Sequence, residues 1–120
     1  MSFLVYEQDP FVCVDICEAL LAEFPRADIS VAQSLDALKR KLEEGGERLT
    51  VILALSAEDC AAAREVVSSF SNSAKWVIVG NEAPSGFDLA TKLPFVQKPF
   101  SSQGLISAIR GGFAGRHACQ

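Results

Sequence analysis

The 120 residues carry 11 Lys and Arg against 15 Asp and Glu, a formal net charge of −4. This length suits one compact domain, and a 49% share of hydrophobic residues is enough for a packed core. The acidic balance argues against nucleic-acid binding, which normally needs a basic face. We identify neither a signal peptide nor a membrane-spanning stretch, so we expect a cytoplasmic protein with no membrane partner.

Five short stretches predict β-strands. Three of them are continuous hydrophobic runs, typical of strands that are covered on both faces in a parallel sheet. The second stretch alternates, so that Ile29 and Val31 share one face, which is typical of an edge strand. The predicted strands span residues 3–6, 28–32, 51–55, 76–79 and 93–97.

Helical patterns follow each of these stretches. Asp9 is placed to cap the first helix, with proline at the first helical position, and Ser34 to cap the second. The third pattern directs Ala63, Val66 and Val67 inward. The third, fourth and fifth helices are predicted at about 57–70, at about 85–92 and after Ser101.

Five βα units in a row predict a three-layer α/β/α sandwich around a five-stranded parallel sheet. Because the second strand has the pattern of an edge strand, the flavodoxin-like order 2-1-3-4-5 is favoured. We find no internal repeat and no linker. We therefore expect one domain over residues 1–112, followed by a flexible, glycine-rich tail over residues 113–120.

The cysteines favour a structural interpretation. Cys13 and Cys17 fall on the same helical stripe as Ile16 and Leu20, so we expect buried thiols; a redox or metal role is the alternative. A metal site would require further ligands such as histidine, and the single histidine, His117, falls in the predicted tail.

In open parallel sheets, ligands bind where the strands end at their carboxyl side, next to the point where the strand order reverses. The sequence contains neither of the glycine-rich motifs that bind phosphate groups there, so we expect no nucleotide or flavin cofactor. The fold places the ends of four strands in this crevice, with the residues Glu7, Gln8, Asp9, Ala54, Leu55, Ser56, Gly80, Asn81 and Lys98.

FLVYEQDP before the first helix and FVQKPFS before the last resemble the CheY-like receiver domain of bacterial two-component response regulators. The similarity covers about residues 2–110. In that family, an acidic pair after the first strand and an aspartate after the third bind Mg²⁺, and this aspartate takes a phosphoryl group from a histidine kinase. A hydroxyl residue after the fourth strand and a lysine after the fifth hold the phosphoryl group.

Compared position by position, this sequence keeps little of the family's site. Glu7 occupies the first acidic position, but Gln8 occupies the second, Ala54 replaces the phosphoacceptor and Gly80 replaces the hydroxyl residue. Lys98 is retained. Without the aspartate, we expect Lys98 to form an ion pair with Glu7 across the crevice rather than to bind an anion.

The resemblance places Phe95 at the position of the switch aromatic. Two interpretations stay open for this residue, a core aromatic or a side chain that faces a partner. Together with Ile106 and Phe113, it is predicted to form an apolar partner face on the fourth helix, fifth strand and fifth helix. The first helix is the alternative partner surface.

These losses predict a phosphorylation-independent pseudo-receiver, a non-enzymatic module that acts by protein–protein contact in a bacterial two-component or related pathway. The expected partner is a histidine kinase, a phosphotransferase or a downstream regulator, with a homodimer as an open option and no metal or cofactor. Two alternatives remain. One is a receiver that accepts phosphoryl on a non-standard residue such as Ser56 or Asp59, and the other is a small-anion sensor at Lys98.

Overall fold

The computed structural model describes residues 2–44, 49–55, 60–70, 74–80, 94–98 and 100–118. The strands are β1 (Ser2–Tyr6), β2 (Asp28–Ala32), β3 (Leu49–Ala54), β4 (Ala74–Gly80) and β5 (Phe95–Gln97). The helices are α1 (Pro10–Glu23), α2 (Leu35–Glu44), α3 (Cys60–Ser69) and α4 (Ser102–Ala118). The short helix predicted at 85–92 lies outside the described residues, so α4 corresponds to the fifth predicted helix.

The five strands form one sheet in the order β2-β1-β3-β4-β5, and every neighbouring pair is parallel. The predicted fold class and strand order are therefore confirmed. At the centre of the sheet, Val5 on β1 lies between Val31 on β2 and Ile52 on β3. Because all strands run the same way, their carboxyl ends meet at one edge of the sheet.

Two buried clusters pack against the two faces of the sheet. Alternation along β1 directs Phe3 and Val5 to one face and Leu4 and Tyr6 to the other. The first face carries α1 and α4, and the second carries α2 and α3. The three residues of α3 predicted to face inward, Ala63, Val66 and Val67, are buried, which confirms the helical periodicity there.

Side-chain caps begin three of the helices. Asp9 accepts a hydrogen bond from the backbone N–H of Phe11 at 2.9 Å, with Pro10 as the first helical residue, and Ser34 accepts one from Ala37 at 3.1 Å. Both predicted caps are confirmed. Ser101 caps α4 in the same way, since its hydroxyl accepts from the N–H of Gly104 at 2.9 Å.

The last helix is longer than the sequence predicts. Helix α4 continues to Ala118, so residues 113–118, expected as a flexible tail, have helical backbone. Glycine weakens a helix by about 1 kcal/mol relative to alanine but does not forbid one. Packing holds the first half of α4 in place: Arg110 forms an ion pair with Glu23 and lies 5.4 Å from the centre of the Phe24 ring.

The two cysteines of α1 are less buried than the sequence predicts. Cys13 and Cys17 are half-buried free thiols, not fully buried ones, because they lie at the border of the face that α1 turns to the sheet. Residues at the centre of that face, Ile16 and Leu20, are completely buried. Among the helices of the described residues, none is long and apolar enough to cross a membrane.

Candidate functional site

The predicted site residues come together at the carboxyl edge of the sheet. Glu7 directly follows β1, Ala54 ends β3, Gly80 ends β4 and Lys98 directly follows β5. The backbone N–H of Lys98 donates to the carbonyl of Gly80 at 2.7 Å, which fixes the end of β5 beside the end of β4. Gln8 lies next to this crevice and is exposed.

An ion pair spans the crevice. The Lys98 Nζ donates to Glu7 Oε2 at 2.9 Å, and the exposed fractions of the two side chains are 23% and 6%. The other carboxylate oxygen, Oε1, accepts a hydrogen bond from the backbone N–H of Asp9 at 3.0 Å. Both oxygens of Glu7 are thus engaged. The ion pair predicted from the sequence is present.

Ala54, which the receiver resemblance aligns with the phosphoacceptor, is a buried apolar residue. Ala54 is 5% exposed, and its methyl group belongs to the buried cluster beneath α1. A methyl group has no lone pair with which to attack phosphorus, so this position supplies no nucleophile. Gly80 has no side chain and contributes only its carbonyl, which accepts the hydrogen bond from Lys98. Ser56 and Asp59, the two substitute acceptors, lie outside the described residues.

The crevice does not fit the Mg²⁺ ion that the receiver resemblance implies. A hard dication needs several oxygen ligands, preferably carboxylates. Glu7 is held by Lys98 and by the backbone, Gln8 is a neutral amide, and Asp9 accepts a hydrogen bond from Phe11 as the cap of α1. Within the described ranges, no group of three or more His, Cys, Asp and Glu residues is arranged to hold a metal ion.

A groove of about 590 Å³ adjoins the crevice between α1 and the segment that leads into α4. Lys98 lines both the crevice and this groove. The groove is otherwise partly apolar and partly acidic, because α1 contributes Asp15 and Glu18 next to Val12 and Ala19. The arrangement is suited to contacts with a partly apolar surface and offers no second cation beside Lys98 among its lining residues.

The residues predicted for the partner face pack in different places. Phe95 is half-buried against the cluster under α2 and α3, whereas Ile106 is half-buried against the cluster under α1. These two side chains therefore attach to opposite faces of the sheet. The side chain of Phe113 lies outside what the structure describes, so a joint partner face of the three residues remains a prediction.

Sequence analysis missed the exposed apolar surface of α1. The exposed fractions are 82% for Phe11, 53% for Val14 and 46% for Leu21. Helical geometry puts these three positions and Glu18 on one stripe, since they are spaced by three or four residues. A signal was available: α1 has apolar residues on all its sides, more than one inward face can bury.

The thiol of Cys17 is poorly suited to nucleophilic chemistry. Partial burial, followed by the charge of Cys13 and a hydrogen bond with it, raises the pKa of Cys17 from 9.0 to about 11. Since the thiolate is the reactive form, Cys17 is almost entirely unreactive near neutral pH. This supports a structural role for the pair over a redox role.

No protein-family model matches this sequence, and no curated protein matches it. Solved structures do match. The signal receiver domain of an HD domain-containing protein from Pseudomonas fluorescens Pf-5 has a TM-score of 0.71 at 12% identity, covering 98% of this chain and 97% of that one. The Vibrio cholerae chemotaxis protein CheY4 has a TM-score of 0.68 at 14% identity, covering 93% and 98%.

A CheY-like response regulator receiver domain protein from Methanospirillum hungatei JF-1 is similar to the same degree. Its TM-score is 0.68 at 18% identity, with 96% of this chain and 97% of that one covered. The fold is that of a CheY-like receiver domain. In this fold, Glu7, Ala54, Gly80 and Lys98 lie together at the carboxyl ends of their strands.

Proposed function

We propose that this chain is a phosphorylation-independent, receiver-like signalling module that acts by binding another protein. The observation that carries the proposal is the crevice itself. A buried methyl group, Ala54, ends the strand where a receiver has its nucleophile, and Lys98 is held by Glu7 instead of being free for a phosphoryl group. A module with this crevice signals through its surface and not through group transfer.

The outer surface of α1 supports protein binding. Phe11, Val14 and Leu21 leave large apolar side chains in contact with water on one stripe of the helix, and such stripes on small domains mark interaction sites. Exposed aromatic anchors contribute about 2 kcal/mol or more to binding when they are buried by a partner. Glu18 on the same stripe favours a partner that offers a cation opposite it.

A partner surface on α1 agrees with the alternative raised by the sequence. The face formed by Phe95, Ile106 and Phe113 remains the second candidate, with both described side chains half-buried. In either case the partner classes that we propose are a histidine kinase, a phosphotransferase or a downstream regulator. The small-anion sensor is less well supported, because Glu7 already neutralises Lys98.

Incubation with a small phosphodonor and Mg²⁺, followed by intact-mass measurement, tests the phosphorylation-independent function. We expect no increase in mass by a phosphoryl group over hours. A conventional receiver domain treated in parallel serves as the positive control. A stable phosphorylated species that maps to Ser56 or Asp59 would overturn the proposal in favour of the alternative receiver chemistry.

Two matched double variants distinguish the partner surfaces. Phe11→Ser with Val14→Ser changes the α1 stripe, and Phe95→Ala with Ile106→Ser changes the second candidate face. Each tagged variant is compared with the wild type in pulldowns from the native host, after circular dichroism has shown that it is folded. We expect only the α1 variant to lose the partner. Loss of the partner by the Phe95 variant alone would assign binding to the second face.

A further inference from the structure

The outer edge of β2 is a second candidate interaction surface. Among the described strands, β2 pairs only with β1, so its outer backbone N–H and C=O groups face away from the sheet. Such an edge pairs readily with another strand unless it is protected by proline, lysine or a bulge. The strand DISVA contains neither proline nor lysine, and its register with β1 is continuous over all five residues.

Two apolar side chains of β2, Ile29 and Val31, lie along this edge. Val31 pairs with Val5 and Ile29 with Phe3, so both point to the face of the sheet that carries α1. Ile29 is half-buried, whereas Val31 is 37% exposed even though it is β-branched and apolar. Ser30 on the opposite face is also exposed and uncharged. The central part of the edge therefore carries no charge to repel an incoming strand.

We propose that β2 pairs antiparallel with β2 of a second copy of this chain, which joins two sheets into one. A twofold contact centred on Ser30 sets Ile29 opposite Val31 of the second copy, and Val31 opposite its Ile29. Cross-strand pairs of β-branched residues stabilise a sheet. Asp28 then lies opposite Ala32, and the two Asp28 residues are about 13 Å apart along the strands, so like charges do not meet.

Charges at the two ends of the strand are complementary in this arrangement. The exposed Arg26 precedes β2, and the exposed Asp36 lies in the first turn of α2 just beyond it. An antiparallel contact brings the N-terminal end of one strand beside the C-terminal end of the other. In this register Arg26 of each copy faces Ser34 of the other copy, two residues before its Asp36, so the opposite charges approach each other twice in the dimer. A second copy thus fits this edge in hydrogen bonding and in charge.

This inference goes beyond the proposed function and does not depend on it. The edge formed by β2 is the opposite end of the sheet from β5, and none of its residues belongs to the crevice. Dimerisation and phosphorylation are measured separately. A monomeric chain would not disprove the proposed function, and a phosphorylated chain would not disprove the dimer.

Sedimentation velocity of the full chain over a range of concentrations tests the proposal. We expect a concentration-dependent dimer that Val31→Lys weakens by about tenfold or more, because a lysine then meets Ile29 of the second copy. Ala62→Lys, at an exposed position of α3, is the matched control and retains the dimer. Since Val31 is partly exposed, the variant is expected to stay folded, which circular dichroism verifies.

A charge exchange provides an independent variant pair. Arg26→Glu is expected to weaken the dimer about tenfold, and Arg26→Glu combined with Asp36→Arg to restore most of the association, since the attraction is reversed and kept. A wild type that stays monomeric at the highest concentration reached overturns the proposal and leaves the edge to an extended segment of another protein. A dimer that survives both Val31→Lys and Arg26→Glu equally overturns it.

Discussion

Lys98 and Glu7 form an ion pair across the carboxyl edge of the sheet, with 2.9 Å between Nζ and Oε2. The two residues are 91 positions apart in the sequence and follow the first and the last strand. In this contact, each of the two charges is balanced by the other within the crevice. As a result, neither side chain offers an unbalanced charge to a ligand in the crevice.

Removing the acid of this pair is expected to destabilise the protein. Glu7→Gln leaves the partly buried ammonium group of Lys98 without its counter-charge, which costs about 1–3 kcal/mol in the free energy of unfolding. Urea unfolding at neutral pH measures the loss. Glu65→Gln, an exposed position on α3, serves as control and stays near the wild type. Adding Lys98→Met to Glu7→Gln is expected to recover part of the loss, and no recovery would argue against an isolated charge as the cause.

Mg²⁺ is expected not to bind at millimolar concentration. Glu7 is the single carboxylate at the described crevice that is not a helix cap, and Lys98 competes for it. Isothermal titration with MgCl₂, with fluorescence of Trp76 as a second readout, checks this. A saturable signal with low-millimolar affinity that is lost in Glu7→Gln would contradict the prediction.

Ala54→Asp alone is expected not to create a phosphorylation site. The new carboxylate would gain Lys98 as a neighbour, but Gln8 still withholds the second acidic ligand and Gly80 the hydroxyl. Restoration is expected to need Gln8→Asp and Ala54→Asp together, with Gly80→Thr to stabilise the product. Intact-mass analysis after phosphodonor treatment compares the variants. Rapid labelling of the single variant would show that the crevice needs only a nucleophile.

The alkylation rate of Cys17 is expected to rise only at strongly alkaline pH, with a midpoint near its pKa of about 11. Cys13→Ala removes the charge and hydrogen-bond contributions and moves the midpoint toward 9.0, though not fully, because burial is the largest cause. Because the pKa is raised in the folded state, the protonated thiol's contribution to stability is fully present below about pH 9 and is lost as the pH rises toward 11. Iodoacetamide labelling followed by peptide mass analysis measures both rates.

Truncation on the exposed side and on the buried side of α1 is expected to change the free energy of unfolding by very different amounts. Phe11→Ser removes a side chain that is 82% exposed and leaves the unfolding free energy within about 0.5 kcal/mol of the wild type. Leu20→Ala empties a completely buried position on the same helix and costs about 2–5 kcal/mol. Thermal and urea unfolding compare the two. A large loss for Phe11→Ser would mean that the residue packs within the chain and does not serve a partner.

The sequence by itself determined the order of the elements and the type of sheet. Continuous hydrophobic runs such as that of β3 predict strands buried on both faces, and the alternation of Ile29 and Val31 places β2 at an edge. Asp9 and Ser34 are local signals, since a cap acts on backbone groups two or three residues away. That position 54 carries no nucleophile also follows from the sequence, because the identity of one side chain, Ala54, decides it.

Only the tertiary structure decided which side chains meet and which remain exposed. Glu7 and Lys98 are brought together by the parallel packing of four strands, so residue types alone allowed the pair without requiring it. The sequence of α1 does not distinguish its inward apolar residues from its outward ones. The sheet and α4 cover only one side of the helix, so Leu20 is buried and Phe11 is exposed. The same geometry separates Phe95 from Ile106, because neighbouring elements hold them against opposite faces of one sheet.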